Sequence, residues 1–241
     1  MKNRTFILGL IVVFFIACNS KEKAVDNEKN KTDSITRVQN KATLNSKIEK
    51  TIDLAYGFKA NIGQSEDFKT FKTYSFFELK HFDKVIYTDT LLEYEFGHKL
   101  YPIVLQTGEN KYELLFEIND RPTKNYLKRI IVLNEKIIKM DKLPTFISKA
   151  HDLDGDGIKE YAGFWDYSQV WGEKNDITAY NPILYYKVVP AGLKLDSALT
   201  IKKNKEIYGE FYGFDFNERQ EVSTVKSDIF ENEVDKIEKL K

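Results

Sequence analysis

Tyr101-Pro102-Ile103-Val104-Leu105-Gln106-Thr107-Gly108-Glu109-Asn110-Lys111-Tyr112-Glu113-Leu114-Leu115-Phe116-Glu117-Ile118 is the stretch on which the fold turns. Residues 101–107 and 112–118 are rich in Ile, Val, Leu, Tyr and Phe, and Gly108-Glu109-Asn110 separates them. Such residues suit a pleated, half-buried surface, and a short loop with Gly and Asn closes it, so the pattern predicts a β-hairpin. Asn119-Asp120-Arg121-Pro122 follows as a turn by composition. Residues 126–133 and 136–140 then flank Asn134-Glu135 as a second hairpin. Upstream, 74–79, 84–87 and 91–96 are short half-apolar runs. Downstream, 145–150, 160–166, 183–189, 199–203 and 207–214 read as further strands, with turns at Ala191-Gly192 and Lys203-Asn204-Lys205.

Strand and turn alternating at this spacing, without a strong helical period, predict an all-β domain over residues 51–217. Its form is an antiparallel sandwich or a curved sheet of short strands, with one hairpin closed by an acidic loop at residues 152–160. Two helices are expected at the margins. One is a short helix around 52–56. The other lies in the charged tail 218–241, where Val222, Val225, Ile229, Val234, Ile237 and Leu240 recur at mostly three- to five-residue steps.

The totals exclude several classes. Lys+Arg and Asp+Glu are each 37, and removal of Lys2 and Arg4 with a leader leaves 35 basic against 37 acidic residues. No cationic excess exists to displace counterions from a phosphate backbone, so nucleic acid is not expected as a partner. Cys18 is the only cysteine, which rules out an internal disulfide and a thiolate zinc cluster. No Gly-x-Ser-x-Gly elbow or Gly-rich phosphate loop is present, and His81, His98 and His151 form no paired motif.

One acidic loop stands out: Asp152-Leu153-Asp154-Gly155-Asp156-Gly157-Ile158-Lys159-Glu160. Two carboxylates about 4 Å apart repel by roughly 4 kcal/mol at an effective dielectric of about 20. A hard cation removes that cost, and Ca²⁺ takes about six to eight oxygen ligands in a flexible geometry. The side chains of Asp152, Asp154, Asp156 and Glu160 and the carbonyl of Ile158 are the candidate ligands. An EF-hand would want an apolar residue and a bidentate Glu where this chain has Lys159 and Gly163. The loop instead resembles the calcium loop of integrin-type FG-GAP and VCBS repeats, with Glu160 where Asp is common. That resemblance implies a structural Ca²⁺ site. The motif occurs once, whereas propellers repeat every 40 to 50 residues or so, so a propeller is not expected. A solvated turn without metal is the alternative.

The N-terminus reads as an address. Lys2 and Arg4 precede the apolar run 6–17, too short for a bilayer span of about 20 residues, and Cys18 follows. Phe15-Ile16-Ala17-Cys18 resembles the lipobox of bacterial lipoproteins, with Phe15 in place of the usual leucine. The resemblance implies cleavage of 1–17, palmitate-type acylation of Cys18, and a membrane anchor. Asn19 rather than Asp after the cysteine, by resemblance to enterobacterial sorting, favours the outer membrane. Residues 18–50 lack aromatics and are dominated by Lys, Asn, Glu, Ser, Thr and Asp, so a disordered tether is expected.

Both tryptophans fall in 164–173, where Trp165, Tyr167 and Trp171 alternate with polar residues. They could form a platform for a sugar or a hot spot for a protein. The alternative is that Phe164 and one Trp pack into the core while the other Trp caps it. The expectation is therefore an envelope lipoprotein whose calcium-stapled β-domain is a binding module for a protein or glycan, with catalysis left open. Two rivals are a hydrolase of envelope glycans using Asp166, Glu173 or Glu160, and a periplasmic inhibitor of a cell-wall hydrolase.

Overall fold

The computed structural model describes residues 48–167 and 169–240. Nine strands in chain order form one antiparallel sheet: β1 (Ile48–Asp53), β2 (Phe58–Asp67), β3 (Lys72–His81), β4 (Lys84–Asp89), β5 (Tyr94–Glu95), β6 (Ile103–Gly108), β7 (Lys111–Ile118), β8 (Tyr126–Leu133) and β9 (Lys136–Pro144). The main path runs β1-β2-β3-β5-β7-β8-β9, with β4 paired to β3 and β6 paired to β7. Left-handed residues make the tight turns: Phe82-Asp83 between β3 and β4, Asn110 between β6 and β7, and Asn134-Glu135 between β8 and β9. Two consecutive left-handed residues match the right-handed strand twist. Lys84 holds the Glu135 carboxylate at 2.8 Å.

A second sheet, β10 (Glu160–Gly163), β13 (Leu184–Val189) and β14 (Gly192–Leu195), packs on β7–β8. A third joins β11 (Val170–Trp171), β12 (Ile177–Tyr180) and β15 (Asn217–Ser223). Helix α1 (Ser197–Tyr208) follows β14, and α2 (Thr224–Glu238) follows β15.

Alternation along the strands explains the layering. On β7 and β8, Leu114, Phe116, Ile118, Ile130 and Val132 join one cluster with Ala60, Ile62, Phe77 and Leu79 of β2–β3. Leu115 and Leu127, facing the other way, join Tyr101, Leu143, Leu184, Tyr186 and Leu193. Tyr185 of β13 then faces a third cluster with Leu199, Ile207, Phe230 and Val234 of the helices. Strands in the middle layer are covered on both faces. Each such buried side chain contributes roughly 1.5–3 kcal/mol before ordering costs.

The all-β class holds, with two helices among the described residues, one of them C-terminal as expected. Three element readings are corrected. Residues 52–56 are no helix: β1 occupies Ile48–Asp53 and a single 3₁₀ turn follows at Ala55–Gly57. The expected strand 199–203 lies wholly in α1, which also takes 207–208, because Asp196 caps its start through Leu199 N–H and Gly209, at φ 83°, ends it; 209–214 forms no strand. The 145–150 run forms an isolated bridge, Phe146 to Gly163, rather than a strand. β2, β11, β12, β14 and β15 arise where no strand was expected; β15 takes Val222 and its neighbours from the tail read as helical, and β1 takes residues 48–50 from the expected tether.

Candidate functional site

The acidic loop leaves the second sheet through a backbone bridge, His151 N–H to Glu160 O at 3.0 Å and Glu160 N–H to His151 O at 2.7 Å. Gly155 and Gly157 take left-handed φ of 83° and 85°, which folds the acidic side chains back over the turn. Asp152 accepts from Gly155 N–H (2.7 Å) and Gly157 N–H (3.0 Å); Asp156 accepts from Ile158 N–H (2.8 Å). Asp152, Asp154 and Asp156 bring carboxylate oxygens within 4.8 Å of one another. Asp154 also meets Glu160 and Asp196 within that limit.

Glu160 is fully buried. Leu153 N–H donates to its Oε2 at 2.9 Å, while Oε1 has no partner. Burial pushes its carboxyl pKa up, and the neighbouring Asp154 and Asp156 charges add to this. The donor set is all oxygen and suits a hard cation such as Ca²⁺. Ile158, exposed, ties the loop through its N–H.

Two groups here were not read from the sequence. Lys187, opposite Glu160 in the β10–β13 register, reaches Asp156 Oδ2 at 2.6 Å and Asp196 Oδ2 at 3.0 Å. Its ammonium already neutralises part of the cluster, and those hydrogen bonds raise its pKa. Asp196 doubles as the N-cap of α1. Both lie far along the chain and become visible only through strand register.

The aromatic residues separate. Trp165 packs against the first and second hydrophobic clusters, and Phe164 stands edge-on to Phe230, so both hold the core. Tyr167 is 64% exposed and lines three cavities, of about 530, 260 and 520 Å³. Trp171, half-buried, lines the last of these with Asp166. Glu160, Asp166 and Glu173 form no common cluster among the described residues: Glu160 is buried beside the loop with Asp154 and Asp196, and Glu173 is exposed after β11.

The 530 Å³ cavity gathers groups from the 119–125 turn, read from sequence only as a connector. Glu117 accepts from Asn125 Nδ2 at 2.9 Å through Oε1, and its buried Oε2 has no partner. Burial raises its pKa against the Asn125 bond. The Lys124 ammonium donates to Phe164 O at 2.9 Å and to Thr145 Oγ1, and lies 4.2 Å from the Phe164 ring centre. Burial lowers it to about 8, against the pull of the Glu117 and Asp166 charges. Arg121 pairs with Glu95 at 2.6 Å. Paired acidic and basic residues around Asn-Asp-Arg-Pro were the available sequence signal, but nothing in the sequence alone tied them to Glu95 or Glu117.

Cys18 and the leader lie outside the described residues. Among the described residues no helix is long and apolar enough to cross a membrane. Comparison with protein-family models, curated proteins and solved structures gave no match.

Proposed function

We propose that this chain is an envelope lipoprotein, anchored through Cys18 with the outer membrane favoured, whose all-β domain binds a protein or glycan and carries a Ca²⁺ staple at Asp152, Asp154, Asp156, Ile158 and Glu160. The observation that carries the binding role is the exposed Tyr167 ring where three cavities meet, with Trp171 beside it. Large rigid aromatics with a polar tip are suited to such contacts. Pull-down from envelope extract with the wild-type chain and with Trp171→Ala and Tyr167→Ala tests it. Loss of a retained protein or glycan in the variants is expected, and equal retention by all three chains rejects the face.

The staple rests on Glu160 Oε1, buried without a partner among converging carboxylates. Ca²⁺ would be structural: it cross-links the loop to β10, with Asp196 within reach from the start of α1. Titrating Ca²⁺ into the chelator-stripped full chain should raise the unfolding midpoint, by the equivalent of about 2.7 kcal/mol at a hundred times Kd. Asp154→Ala should abolish the rise. A second reading has its own observation: Lys187 within 3 Å of Asp156 and Asp196 makes it the loop's resident counter-ion. No shift at millimolar Ca²⁺ would favour that reading.

A further inference from the structure

The 530 Å³ cavity is the most chemically defined hollow in the domain, and its volume falls in the usual range for small-ligand pockets, about 300–1,000 Å³. Its charges nearly balance from within, with the exposed Glu238 as the one further carboxylate in the lining. Arg121 answers Glu95, and the Lys124 ammonium lies in the field of Glu117. A charged ligand would therefore gain little attraction, and an apolar one would leave buried polar atoms without partners, which is costly.

What remains unsatisfied is specific. Glu117, 8% exposed, has one acceptor oxygen without a partner, Oε2, which is sealed from solvent, so a ligand meets it once the carboxyl turns toward the cavity. Lys124, also 8% exposed, spends two of its three N–H donors on Thr145 Oγ1 and Phe164 O and keeps one. The complement is a neutral molecule that offers a donor and an acceptor on neighbouring atoms, as adjacent hydroxyls do. Tyr167 at the mouth supplies an exposed ring for the C–H face of a pyranose. Pro122, Thr123 and Tyr167 also line the 520 Å³ hollow that holds Trp171, so the two share a wall and suit a chain of sugars rather than one.

We propose that this cavity binds a neutral saccharide chain, which enters past Tyr167 and sets its hydroxyls against Glu117 Oε2 and the Lys124 ammonium. The assignment rests on the reading of the domain as a binding module and names its ligand class. A peptide, whose amides also donate and accept, is the competing occupant. The exposed Tyr167 ring, suited to the C–H face of a pyranose, favours the sugar over it.

The test is calorimetric titration of the purified full chain with chitotriose, cellotriose, maltotriose, xylotriose and mannotriose, with trialanine as the peptide probe. Saturable binding of at least one trisaccharide is expected, weakened about tenfold in Tyr167→Ala and several-fold in Glu117→Gln. Tyr167 is exposed, so that variant should keep the wild-type unfolding midpoint and remains informative if Glu117→Gln fails to fold. Binding of trialanine alone, or of no trisaccharide at millimolar concentration, overturns the proposal. Sugar binding lost in Trp171→Ala but intact in Tyr167→Ala and Glu117→Gln also overturns it, while leaving the binding-module reading in place. A protein retained in pull-down with no sugar bound has the same meaning.

Discussion

Gly192 lets β14 begin directly over Glu113. Its φ is 115°, and a β-carbon there would stand 1.7 Å from Glu113 Oε1. Leu193 N–H donates to Glu113 Oε2 at 3.3 Å, and Arg129 Nη1 donates to Leu193 O at 3.1 Å, so the close approach ties the two sheets. Gly192→Ala should cost more than about 1 kcal/mol in urea unfolding, from backbone strain together with the displaced carboxylate. Glu113→Ala in the same chain should recover the steric part and leave the strain. At this scale the sequence was legible where the chemistry was local. Four acidic side chains in nine residues announced the acidic cluster. Lys187 and Asp196, which adjoin that cluster, were illegible because only the pairing of β10 with β13, and of β13 with β14, brings them there. Trp165 was open between a contact face and the core, and distant strands place it against the core.

Among the elements, α1 is the instructive case. Leu199, Thr200 and Ile201 look like strand residues, yet Asp196 and Gly209 are ordinary cap signals that bracket a helix. Tertiary bonds reinforce the helix. Asn204 accepts from Ile183 N–H (2.9 Å) and donates to Ile183 O (2.8 Å), while Thr200 Oγ1 accepts from Tyr185 N–H (3.1 Å). Side chains of α1 thus serve as the hydrogen-bond partner of β13 where another strand might have stood. Asp196→Ala should cost about 1 kcal/mol in chelator, measured by denaturant unfolding, because the cap is lost. Asp196→Asn keeps a capping oxygen and should stay within a few tenths of a kcal/mol of wild type. If Asp196 is also a ligand, both variants should blunt the response to Ca²⁺. The hairpins were read correctly because turn residues and apolar runs sit side by side, while β2 was missed in a stretch of mixed polarity.

Over the whole molecule, the two parts of the large sheet are joined by a strand of two residues, β5, and by a buried polar knot beneath it. Asp89 of β4 accepts from Lys128 Nζ at 2.6 Å, Tyr87 OH at 2.7 Å, Tyr94 OH at 2.8 Å and Leu91 N–H at 2.8 Å. Burial alone would raise its pKa, but these donors hold it at about 2, below the ordinary 3.8. The unfolded chain therefore binds this proton more readily. The contribution, about 2 kcal/mol, is complete above pH 4 or so and lost as pH falls through about 2. Asp89→Asn should be less stable by that order at neutral pH, and the gap should close toward pH 2 in acid unfolding curves. Layer order has another consequence, set by time. The large sheet is complete in its own hydrogen bonds at Pro144, but Leu115, Leu127 and Leu143 wait for Leu184, Tyr186 and Leu193 to cover them. At a synthesis rate of about 5–20 residues per second, that oily face stays bare for several seconds in every newborn chain. A nascent protein so built needs that face shielded, as a holdase would shield it, until residue 193 has been made.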